Sequence, residues 1–180
     1  GSLFLPFLPE CIFADKIICI DHPWYNKGYI QNEVKKIPKW VILINRKIFL
    51  NKSKKFNSFK KVFLDRSTSK FNHCKISNQS SLNNWLKKNS FGIYTPEKLS
   101  QEKQIYLFKN ARIILGAHGA ALTNIIFCKP GTKVIEIIPA DHPNKKCERI
   151  SKVLKLRYFR IKTKPDNSDK NFPFKIHLNK

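Results

Sequence analysis

Methionine is absent from this chain of 180 residues, glycine occurs only six times, and 12 acidic residues stand against 35 Lys and Arg. So little glycine excludes collagen-like and glycine-rich fibrous chains. No run approaches the roughly 20 apolar residues that span a bilayer. Cysteine is sparse and unpatterned: Cys11, Cys19, Cys74, Cys128 and Cys147 form an odd set without a CxxC pair. Such cysteines, mostly among Ile, Phe and Lys, read as buried thiols in a reducing compartment rather than a disulfide framework. Zinc-finger spacing is missing as well, and His142 with Cys147 is only a lone pair, so no metal site is expected. GxGxxG, Walker A and GxSxG are all absent. The apolar stretch at 3–9 is too short and proline-rich for a signal peptide. With its Gly1-Ser2 start, the chain reads as a piece cut from a longer protein, and a cytoplasmic location is expected.

What is present defines a folded domain. A hydrophobic fraction of 42% is too high for disorder, and 180 residues suit one domain with a real core. The formal charge of +23 raises the local concentration of any polyanion. Its makeup is 29 Lys to 6 Arg, beside abundant Ile, Asn and Phe, the residues that AT-rich codons favour. Nucleic-acid readers lean on Arg for bidentate contacts. The lysines are also scattered, with doublets at 35–36, 54–55, 60–61, 87–88 and 145–146. A solvated surface is therefore favoured over a dedicated nucleic-acid face, with weak association to an anionic membrane surface as a further effect of the same field.

The pattern along the chain is α/β. Residues 15–20 read as a short buried strand, and 37–50, opening with Pro38 and apolar on more than one face, as a mostly buried helix. The polar stretch 51–58 is a linker or loop. Strands follow at 61–65, 91–94, 111–115, 133–138 and 157–161. Between them come a helix capped by Ser80 or Ser81, one capped by Ser100, one after the turn at 116–120, and one over 144–155. This alternation predicts a doubly wound, mostly parallel Rossmann-like sheet with helices on both faces. Domain boundaries are expected at 1–59 for an N-terminal extension, 60–163 for the sheet and 164–180 for a tail packing outside this domain.

Ligands of open α/β sheets bind beyond the carboxyl ends of the strands. The turn GAHGAALTN at 116–124 is the candidate. Gly116 and Gly119 permit close approach, Ala117, Ala120 and Ala121 keep the space open, and His118 sits at the mouth. Thr123 and Asn124 fall in the first turns of the following helix, whose N–H groups would suit a phosphate. A turn whose glycines serve only packing fits the same residues.

The longer string PEKLSQEKQIYLFKNARIILGAHGAALTNIIFCKPGTKVIEIIP at 96–139 resembles the signature of the family 61 glycosyltransferases, with similarity over roughly 60–160. The resemblance implies one half of a GT-B fold, the nucleotide-sugar-binding half, acting on a UDP-sugar without a further cofactor and by inversion. It implies that His118, Gly119, Ala120, Thr123 and Asn124 hold the donor, with Gly116 and Ala117 beside them. Arg66 matches the family's arginine, Lys75 its basic position and Asn78 its asparagine, while Asp65 and Gln79 replace the usual serine and glutamate. Arg66 would stabilise charge on the leaving diphosphate. His118 either donates a hydrogen bond to the diphosphate, the favoured role, or acts as an acid or base. Glu136 either takes a ribose hydroxyl or pairs with a lysine. The expected partners are a nucleotide sugar, a glycan or glycoconjugate acceptor and a missing N-terminal domain, with no specific nucleic acid. A polyanion- or RNA-binding α/β module, or an inactive relative, are the alternatives.

Overall fold

The computed structural model describes residues 37–67, 76–140, 142 and 145–163. The expected strand at 15–20, Lys75 and the tail lie outside the described residues, as do His22, His73 and His177. Among the described residues five strands form one all-parallel sheet: β1 (Lys61–Leu64), β2 (Phe91–Tyr94), β3 (Ile113–Ala117), β4 (Lys133–Pro139) and β5 (Arg157–Thr163), in the order β2-β1-β3-β4-β5. Four α-helices accompany them among the described residues: α1 (Lys39–Phe49), α2 (Gln79–Lys88), α3 (Gln101–Asn110) and α4 (Lys146–Val153). The chain after β3 runs as a 3-10 helix over Ala120–Phe127.

Period-two burial explains how both faces are covered. Val62, Leu64, Ile114 and Val134 face one layer made of α1, α3, α4 and the 3-10 helix, where Ile42, Ile105, Phe108, Leu122 and Ile150 are buried. Phe63, Leu115 and Ile137 face α2 through Leu82 and Leu86. Each such side chain contributes about 1.5–3 kcal/mol when fully buried. Right-handed crossovers put helices on opposite faces because the chain steps one way from β1 to β2 and the other way from β2 to β3.

Three expectations change. α1 is amphipathic and not mostly buried: only Ile42 on it is fully covered, while Trp40 is 56% exposed and Ile44 and Ile48 lie open beside it. It touches the domain along one stripe, where Arg46 donates to the carbonyls of Ile126 and Cys128 at 2.6 and 2.8 Å. Helix α2 begins at Gln79 with Asn78 in the N-cap position, ahead of Ser80 and Ser81. Strand β3 runs on through Gly116 and Ala117, because their partners Glu136 and Ile137 continue the ladder, and the His118 N–H extends it to the Ile137 carbonyl. The Ser100 cap is present, accepting from the Lys103 N–H.

Candidate functional site

In a sheet ordered 2-1-3-4-5 the chain reverses direction between β1 and β3, and a crevice opens beyond their carboxyl ends. Arg66 leaves β1 at that point and His118 leaves β3. The Arg66 Nη1 donates to the His118 carbonyl, tying the two strand ends together. A β-carbon on residue 119 would come within 2.6 Å of Arg66 Cζ, so glycine is what admits the guanidinium there. Gly116 is tight for a different reason: its missing side chain would meet Leu64 Cβ at 3.1 Å, so it serves the packing of β1 on β3. Beside Arg66 lies a cavity of about 200 Å³ lined by Phe63, Leu64, Ser67, Ile76, Gln79 and Ala117. Ser67 is turned back by Asp65, which accepts from both its N–H and its hydroxyl at 2.9 Å.

Behind the crevice lies a buried polar cluster. Glu136 is 1% exposed in the middle of β4, and its Oε1 lies 2.6 Å from His118 Nδ1. The Tyr158 hydroxyl, reaching from β5, donates to Glu136 Oε2 at 2.5 Å. Burial alone would raise the Glu136 carboxyl. The hydrogen bonds from His118 and Tyr158, the His118 charge and the Cys147 thiol outweigh it and hold the carboxyl below the ordinary range. Burial and then the Glu136 hydrogen bond and charge push the Tyr158 hydroxyl up, and burial with the Glu136 charge raises the Cys147 thiol. The ring of His142 packs on that of His118, with centroids 4.2 Å apart.

The structure thus brings Arg66, Gly116, Ala117, His118 and Gly119 together, with Glu136 beneath His118. Both Glu136 oxygens are engaged within the protein, which favours a positioning role over contact with a ribose. Thr123 and Asn124 sit elsewhere, against α1, lining a groove with Asn45 and Phe49. The Asn124 amide donates to Gln104 Oε1 at 2.8 Å, and Gln104 in turn donates to the carbonyls of Pro96 and Leu99. Ala120 is exposed at the head of the 3-10 helix. Asn78 stands at the start of α2, and Lys75 lies outside the described residues. The N–H donors expected from an α-helix are therefore reduced; the Gly119 N–H has no hydrogen-bond partner among the described residues. Tyr158, His142 and Cys147 were not legible from the sequence as site residues. A glutamate inside an apolar strand does signal that donors must surround it, but not which ones.

The fold is a doubly wound α/β domain, and the candidate residues gather at the strand carboxyl ends, on the two strands that flank the switch point. The glycosyltransferase 61 family matches residues 1–135, and the chain belongs to that family. The match begins at residue 1, well ahead of the similarity expected over roughly 60–160, and ends at 135, short of its far end. Among individual proteins, a beta-1,2-xylosyltransferase of Arabidopsis thaliana is 37% identical over 60 residues, 33% of this chain and 11% of that protein. The xylan glycosyltransferase MUCI21 of the same plant is 35% identical over 48 residues, 26% of this chain and 10% of that protein. The aligned stretches thus span about a tenth of these relatives.

Proposed function

We propose that this chain is the donor-binding part of a glycosyltransferase, taking a nucleoside diphosphate sugar at the carboxyl ends of β1 and β3. The observation that carries the reading is Arg66, held on the His118 carbonyl and against Gly119 beside a cavity at the switch point. One guanidinium N–H is used in that bond, and the rest of the fork suits the oxygens of a diphosphate. Transfer of the sugar leaves negative charge on that diphosphate, and a preorganised cation with the Gly119 N–H stabilises it. The family supports a sugar donor and a glycan acceptor; UDP as the nucleotide, inversion at the anomeric carbon and a GT-B partner domain belong to the same proposal. On this reading the chain alone binds donor and turns it over slowly, because the acceptor groove is completed elsewhere.

Calorimetric titration with UDP, GDP, CMP and their sugars at near-physiological salt tests it. Saturable binding selective for one nucleotide is expected, with Arg66→Ala weakening it by at least about tenfold, the worth of one charge-assisted hydrogen bond. Binding that ignores Arg66 and collapses with salt would instead favour a polyanion-binding module.

A further inference from the structure

Forming a glycosidic bond releases one proton from the acceptor hydroxyl, and a group at the site must take it. An ionised carboxylate only accepts hydrogen bonds, so the proton shared between His118 and Glu136 belongs to Nδ1. The second carboxylate oxygen is occupied by a donor as well, the Tyr158 hydroxyl. Glu136 is therefore ringed by donors and has no proton to return. A neutral imidazole with its proton on Nδ1 carries a lone pair on Nε2, which accepts a proton and cannot donate one. Among the described residues Nε2 has no hydrogen-bond partner, and the His118 ring is not sealed off, with 10% of the side chain exposed.

From this geometry we infer that His118 is the general base of the transfer, with Glu136 as the positioning residue that fixes its tautomer and Tyr158 holding that carboxylate in place. The acceptor oxygen forms its bond to the anomeric carbon while its proton passes to Nε2. The bond from that carbon to the diphosphate oxygen breaks, and its electron pair leaves with the nucleoside diphosphate. The resulting imidazolium is balanced by the buried Glu136 carboxylate, the arrangement that acid–histidine pairs use in hydrolases. This rests on the donor-site reading above, and it replaces the expected role of His118 as hydrogen-bond donor to the diphosphate, for which Nε2 would need a proton.

Nitrogen-15 correlation spectra of the histidine-labelled chain, recorded without nucleotide at a pH where His118 is neutral, read the tautomer directly. Wild type is expected to show a protonated Nδ1 and a bare Nε2 on His118; a proton on Nε2 would overturn the inference. Glu136→Gln is expected to lose that single tautomer, because an amide can donate as well as accept, whereas Tyr158→Phe leaves a carboxylate that only accepts and keeps it. A proton on Nε2 in Tyr158→Phe would overturn the role given to Glu136. Calorimetry then separates the two roles of His118. As a base, its replacement in His118→Gln leaves nucleotide affinity within about threefold, whereas loss of a bond to the diphosphate costs about tenfold or more and would overturn the base assignment. The wild-type spectrum and His118→Gln decide the matter even where Glu136→Gln fails to fold. Failure of wild type to bind any nucleotide would instead sink the donor reading, and the base role with it, while leaving the tautomer legible.

Discussion

A β-carbon at position 119 collides with the Arg66 guanidinium, although the backbone there, with φ of 168°, is extended and open to any residue. The obstacle is the end of a flexible side chain, so Gly119→Ala is expected to displace Arg66 and leave the fold within about 1 kcal/mol of wild type. Nucleotide affinity should fall as in Arg66→Ala, and the double variant should be no worse than either alone, the signature of a shared interaction. Additive losses in the calorimeter would show that Gly119 acts independently. Glu136 supplies a second prediction. Its folded-state carboxyl lies below the ordinary range, so its ionised form stabilises the fold above the unfolded value of about 4.3, and this is lost as pH falls through the folded value. Glu136→Gln should melt below wild type at neutral pH, by about 1–3 kcal/mol, with the gap narrowing below about pH 4. A gap constant from neutral to acid would mean that the carboxylate charge contributes nothing. At this scale His118, Gly119 and Arg66 were legible in a glycine-histidine turn and a resemblance. Tyr158 was not, because only the β4–β5 register brings a residue 22 positions away onto Glu136.

At the scale of elements, continuous Val, Ile and Leu runs made the strands legible: 91–94 agrees to the residue, and the others shift by one to two at an end. Ends were harder wherever a neighbouring strand decided them, as where Glu136 and Ile137 draw Gly116 and Ala117 into β3. The segment after that strand reads in sequence as an α-helix with Thr123 and Asn124 at the donor. It is a 3-10 helix rich in β-branched residues, which resist α-helical continuation, and it turns those two side chains toward α1. Asn124 there joins a clamp in which Gln104 holds two loop carbonyls and accepts from the Asn124 amide. Asn124→Ala is thus expected to cost about 1–2 kcal/mol in a denaturation curve while nucleotide affinity changes less than about threefold. A variant of wild-type stability with lost affinity would return Asn124 to the donor site.

For the molecule as a whole, charge and topology are linked. In a parallel sheet every strand starts at the same end, so residues that precede separate strands gather on one rim. Lys60 before β1, Lys109 and Arg112 before β3, and Lys129 and Lys133 around the start of β4 line one open cavity of about 600 Å³. None of the five is ion-paired among the described residues. Sequence order hid this rim, since its members are spread over 73 positions and three loops, and only the fold assembles them. No aromatic side chain lines the cavity, so it offers charge without the stacking that single-stranded nucleic acid uses. The rim lies at the amino ends of the strands, opposite Arg66 and His118, and this separates two properties that net charge alone confounds. Replacing Lys60, Lys109, Lys129 and Lys133 together by Ala should weaken binding to heparin and lower the slope of log affinity against log salt by about 3. Nucleotide affinity should stay within about twofold at physiological salt, because a rim at the far ends of the strands, beyond a Debye length of about 8 Å, is screened from the proposed donor site. A parallel loss of both would place the nucleotide among the lysines, and the carboxyl-end site would then have no ligand to explain its arginine.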